Sequence, residues 1–85
     1  MVSGKDDGVR ETHEYTVEVY ERGKHGNAVA QDGAHRISAN SALSAAARLL
    51  AESLSPIGDV TTLRAKVWRV EEGGNVLTTL LYRRN

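Results

Sequence analysis

One stretch of helical period stands between segments of period two, and that arrangement limits the folds open to the chain more than any other feature. SALSAAARLLAESL, residues 41–54, places Leu43, Ala46, Ala47, Leu50 and Leu54 at spacings of three and four. This is the apolar stripe of an amphipathic helix. Ser44, Arg48, Glu52 and Ser55 take the opposite side. Asn40 is the expected N-cap, because its side chain can accept from the free amides of the first turn. Pro56 and Gly58 bar continuation. An alanine-rich stripe also lets a helix lie close against a sheet.

The flanking segments supply that sheet. In HEYTVEVYER, residues 13–22, Tyr15, Val17 and Val19 fall on one face and Glu14, Thr16, Glu18, Tyr20 and Arg22 on the other. Such alternation marks a half-buried strand. GKHGNAVAQDG, residues 23–33, reads as a loose hairpin with Val29 reaching the core, since Gly23, Gly26 and Gly33 allow positive φ and Asn27 and Asp32 form turns. AHRISA, residues 34–39, is the expected second strand, with Ile37 inward. VTTLRAKVWRVE, residues 60–71, turns Leu63, Ala65 and Val67 inward and Arg64, Lys66, Trp68 and Val70 outward, and VLTTLLYRR returns along the edge.

The expected fold is therefore α+β, in the order ββαββ, with one α-helix packed on one face of a four-stranded, mainly antiparallel sheet. Glu14 and Glu18 on the first strand and Arg64 and Lys66 on the third offer opposite charges across a strand pair. That places these two strands side by side and gives the order 2-1-3-4, with the helix as a right-handed crossover. Residues 1–11 mix glycine, serine and charge without periodicity and are expected to form a disordered leader. Residues 12–85 then make one small domain.

The C-terminal hairpin breaks the pattern of a half-solvated sheet. A two-residue loop at Gly73-Gly74 pairs Glu71 with Val76, Val70 with Leu77, Val67 with Leu80 and Lys66 with Leu81. Trp68, Val70, Leu77 and Leu81 then share the face away from the helix, joined by Tyr20 and rimmed by Arg64, Lys66, Arg83 and Arg84. A three-residue loop shifts the pairing by one but leaves Trp68 and Val70 in place. In either register a tryptophan and at least two aliphatics lie on the uncovered face, and a contiguous patch of that kind marks a partner surface.

Composition narrows the class of partner. A chain of 85 residues buries only about 60% of the surface its unfolded form exposes. With no cysteine, disulfides cannot supplement that small core, and self-association is the support left open. The formal net charge is zero, which argues against bulk attraction to nucleic acid or membranes. Residues 63–85 are nonetheless basic, with Arg64, Lys66, Arg69, Arg83 and Arg84 against Glu71 and Glu72. No apolar run has the length of a membrane span, and the N-terminus lacks the apolar middle of a signal peptide, so a cytoplasmic protein is expected.

Catalytic chemistry finds no footing. His13, His25 and His35 are the only imidazoles, and none has metal-ligand spacing from another. No nucleophile elbow surrounds the serines, and GKHGN has no following helix to make a phosphate loop. No enzyme activity, metal or cofactor is expected. Two partner readings remain. In one, copies of the chain pair as a homodimer through the patch, edge to edge or sheet on sheet. In the other, Trp68 and Tyr20 stack unpaired bases while Arg64, Lys66, Arg83 and Arg84 meet the phosphates. Aliphatic Val70, Leu77 and Leu81 and the glutamates of the first strand favour the first.

RISANSALSAAARLL followed by a basic hairpin resembles small phage-encoded proteins, among them some anti-CRISPR proteins with a helix on an antiparallel sheet. The matching positions are Ile37, Ala39, Asn40, Ser41, Leu43, Ala46 and Ala47. The resemblance implies an inhibitor that binds a host protein complex and blocks it sterically through basic or aromatic sheet residues. The same stretch is similar to an antitoxin family with a partial RNase-H-like domain, although that family's appended DNA-binding segment has no counterpart here.

Overall fold

The computed structural model describes residues 12–84; the leader expected at residues 1–11 lies outside them. The elements are β1 (His13–Arg22), β2 (Ala28–Ala30), β3 (His35–Ala39), α1 (Ala42–Leu50), β4 (Leu54–Ser55), β5 (Leu63–Val70) and β6 (Val76–Arg83). Among the described residues the fold is α+β, with one helix and an open antiparallel sheet of six strands, two more than the four expected. β1 and β5 are central, β6 lies beyond β5, and two-residue β4 lies beyond β6. The long strands thus follow the order that the charges of β1 and β5 suggest, and Glu18 stands opposite Lys66.

The extra strands have local causes. β2 and β3 are two pieces of one edge against β1, paired from Tyr20↔Ala30 to Arg22↔Ala28 and from His13↔Ala39 to Val17↔His35. Between them, residues 31–34 stand opposite only Glu18 and Val19, and the two extra residues interrupt the strand. The turn before β2 is tight, with the Gly23 amide donating to the Asn27 carbonyl at 2.6 Å. Val29 is consequently exposed and does not reach the core.

α1 is shorter than its sequence period. Ser41, not Asn40, is the N-cap, its hydroxyl accepting from the Ser44 amide at 3.0 Å. The helix ends at Ala51, which adopts a left-handed φ of 55° and donates its amide to Ala47. A left-handed alanine costs roughly 1–2 kcal/mol. Ending there lets the chain turn and bury Leu54 in β4 against β6. The apolar stripe is accordingly Ala42, Ala45, Ala46, Leu49 and Leu50, and Leu43 is exposed.

The core lies between α1 and one sheet face. Tyr15, Val17, Ala65, Val67 and Leu81 come from the long strands, Ala39 and Leu54 from the short ones, and Ala45 and Ala46 from the helix. Arg48 fastens the helix to β3 by donating to the Ser38 carbonyl at 2.8 Å. The loop before β5 is drawn onto β6 at Gly58, where a Cβ would collide with the Tyr82 ring. Asp59 organises that loop. Its carboxylate accepts from the Thr61 hydroxyl and amide, and these bonds hold it below the usual carboxylate range.

The β5–β6 hairpin takes the three-residue register. The pairs are Val70↔Val76, Arg69↔Leu77, Trp68↔Thr78, Val67↔Thr79, Lys66↔Leu80 and Ala65↔Leu81. Glu71 and Asn75 close the turn, with the Glu71 amide donating to the Asn75 carbonyl at 2.7 Å, and Gly73 and Gly74 supply φ of 94° and 90°. Because side chains alternate, this shift of one exchanges the faces of the return strand. Leu81 is 1% exposed in the core, whereas Leu77 is 46% exposed beyond it. Leu81→Ala is therefore expected to cost about 2–5 kcal/mol in urea unfolding, and Leu77→Ala at most about 1 kcal/mol. The reverse ranking would contradict this register.

Candidate functional site

The outer face of the sheet, opposite α1, is built by alternation along three long strands. β1 contributes Glu14, Thr16, Glu18 and Tyr20, β5 contributes Lys66, Trp68 and Val70, and β6 contributes Val76, Thr78 and Leu80. Val70 is 65% exposed, Val76 55% and Leu80 41%, with half-buried Trp68 beside them. An apolar patch on the uncovered face is thus present, but its β6 members are Val76 and Leu80. Leu77 and Leu81, expected there, lie on the helix side. The alternative loop length was the one sequence signal that could have found the exchange.

Lys66 lies across Trp68, its Nζ 5.8 Å from the ring centroid, a cation–π contact. The β1–β5 ladder runs only from Thr16↔Trp68 to Val19↔Ala65. Past its end a shallow hollow of about 330 Å³ opens beside Trp68, lined by His13, Glu14, Thr16, Arg36, Arg69 and Val70. Arg36 joins the face because it stands opposite Thr16 on β3.

Arg64 does not belong to the basic rim. Its Nε donates to Glu52 at 2.8 Å, and one terminal nitrogen donates to the Tyr20 carbonyl at 2.7 Å and to Glu21 at 3.1 Å. The side chain is only 13% exposed. Burial by itself lowers its pKa, but the two carboxylates outweigh that and hold it above its ordinary value. The ladder shifts between Leu63 and Ala65, so Arg64 sits at an irregularity where a side chain is re-aimed. The result is a clamp joining β1, β5 and the segment after α1.

The other candidate residues are dispersed. Arg69 meets Glu71 at 3.3 Å and His13 at 3.4 Å on the helix side. Arg83 is half-buried near the end of β6, and Arg84 reaches the Ser53 hydroxyl at 3.4 Å. Tyr20 is two residues along β1 from Glu18, and its hydroxyl donates to that carboxylate at 2.9 Å. This bond, burial and the negative charge together raise the phenol's pKa. Among the described residues no group of three or more metal-ligating side chains occurs, and no helix is long and apolar enough to cross a membrane.

Two outcomes separate clamp from rim. Arg64→Ala is expected to lower unfolding stability by about 1–3 kcal/mol, the loss of hydrogen bonds to charged partners. Arg83→Ala should change it by no more than about 0.5 kcal/mol. Equal effects would remove the distinction. The raised Tyr20 pKa means that its bond stabilises fully below the unfolded value and is lost as pH rises through the folded one. Glu18→Gln is expected to lower the Tyr20 midpoint, read from its ring-carbon NMR shift, and an unchanged midpoint would show that the bond is not made.

In comparisons with known proteins the chain matches no family model, no curated protein and no solved structure, so its functional reading rests on the outer face itself.

Proposed function

We propose that the chain is a non-catalytic protein-association module that self-associates and acts by occupying a surface on another macromolecule. The outer sheet face carries this reading: Trp68, Val70, Val76 and Leu80 form an apolar group on the side that α1 does not cover. Lone exposed aliphatics are ordinary on any protein, whereas a contiguous group beside a tryptophan is the make-up of a contact surface. Lys66, Arg36, Glu14 and Glu18 flank it on the β1 side with both signs of charge. A rim of mixed sign suits a protein partner, where charge sets orientation and rate more than affinity. A phage-encoded inhibitor that blocks a host complex sterically would use such a face.

Single-stranded nucleic acid is the second reading, favoured by the contact of Lys66 with Trp68. It is weakened by Arg64, whose charge is engaged by Glu52 and Glu21, and by the two glutamates on the same face. Light scattering on a sizing column tests the choice. Wild type is expected at twice the chain mass, free of nucleic acid, and Leu80→Glu at the monomer mass with unchanged circular dichroism. A wild-type monomer would refute self-association. Co-eluting nucleic acid that salt removes and Trp68→Ala abolishes would support the second reading instead.

A further inference from the structure

β6 has an open edge. β5 pairs along one side, and on the other β4 meets only Tyr82 and Arg83. Among the described residues no strand lies against residues 76–81. Their sequence, VLTTLL, holds no charge, proline or glycine. Natural edge strands use such residues, or a bulge, to deter pairing with another chain.

The hydrogen-bond phase of β6 defines what this edge offers. Glu71 and Asn75 are a bonded pair across the hairpin, and bonded and non-bonded pairs alternate along an antiparallel ladder. Leu77, Thr79 and Leu81 therefore also direct their backbone groups toward β5. Val76, Thr78 and Leu80 direct theirs outward. The Arg83 amide, donating to the Thr62 carbonyl at 2.8 Å, keeps this phase past the irregularity and leaves Tyr82 facing β4. The open edge thus presents three amides and three carbonyls.

We infer that this edge pairs antiparallel with the same edge of a second copy, about a two-fold axis at Thr78. That register sets Thr78 opposite Thr78 of the second copy, and Val76 opposite its Leu80. All three outward amides and all three outward carbonyls of each chain then find partners. Centring the axis on Thr79 would set Val76 against Tyr82, whose groups serve β4. Centring it on Leu77 would set Leu80 against Gly74, inside the turn, where the Gly74 amide already donates to the Glu71 carbonyl at 2.9 Å. One register alone uses the whole edge. It also buries Val76 against Leu80 on the outer face and brings the second copy's glycine turn to the point where β4 begins. β4 then acts as a stop that sets the extent of pairing.

This inference rests on the self-association proposed above and specifies its geometry. The chain contains no cysteine, so single-cysteine variants report the register directly. Opposed residues of a bonded pair lie about 5.5 Å apart at Cα, within disulfide range. With oxidised glutathione, Thr78→Cys is expected to form a disulfide dimer at least tenfold faster than Val70→Cys or than Thr78→Cys unfolded in urea. Mixed Val76→Cys and Leu80→Cys chains should give the heterodimer in preference to either homodimer. Faster cross-linking of Val70→Cys would show face-to-face stacking and overturn the edge register. A dimeric wild-type mass without preferential Thr78 cross-linking overturns the register while leaving self-association standing; a monomeric mass overturns both.

Discussion

The close approach of α1 to the sheet governs the rest of the molecule. Ala45, Ala46 and Ala65 have no exposed surface and lie in the layer between helix and strands with Val17, Val67 and Leu81. Small residues let the backbones come near, but a helix of nine residues is only about 13 Å long. The eight-residue strands β5 and β6 extend about 27 Å. One short helix can cover the middle of one face and no more. The hairpin tip, with Leu77 and Arg69, projects past the helix, and among the described residues no element covers the outer face.

Charge follows the same economy. The C-terminal quarter looks basic in sequence, yet its positive charges are not pooled. Arg64 is turned into a three-way clamp, and Arg69 is held by Glu71 beside His13. Lys66 rests on Trp68 opposite Glu18. A clustered basic surface would have drawn phosphate. What exists is a face with its apolar side chains toward β6 and both charge signs toward β1.

Much of the fold was legible because alternation is a strong signal. Tyr15, Val17 and Val19 identified β1 and its inner face. The glutamates of β1 matched against Arg64 and Lys66 pointed to its neighbour, although only Glu18 and Lys66 stand opposite each other. The hairpin register was not legible, because Glu-Gly-Gly-Asn accommodates loops of two or three residues and one residue of slip exchanges every side chain of β6. Leu77 and Leu81 are chemically identical to Leu80, so composition could not say which of them is buried. The helix end escaped for a related reason. Leu54 continues the helical stripe in sequence, but β4 offers it burial that outweighs the left-handed Ala51. Arg64 escaped because its three partners come from β1 and from the segment after α1, contacts that no local pattern records.

Edge pairing at Thr78 would change what the outer face can do. Trp68 stands opposite Thr78 within one chain, and the two-fold sets Thr78 opposite its counterpart. The two tryptophans then lie in one row across four strands. Three strand spacings separate them, or about 14 Å. Val70 and Val76 of each chain flank that row, and Leu80 of each chain packs against Val76 of the other. Face-to-face stacking would instead bury the tryptophans and close the surface. Pairing at the edge would stabilise the small core by extending its sheet and would leave the aromatic face open at double width. A chain whose α1 covers only one side of its sheet would thereby gain both a support for its fold and a broad surface for a partner.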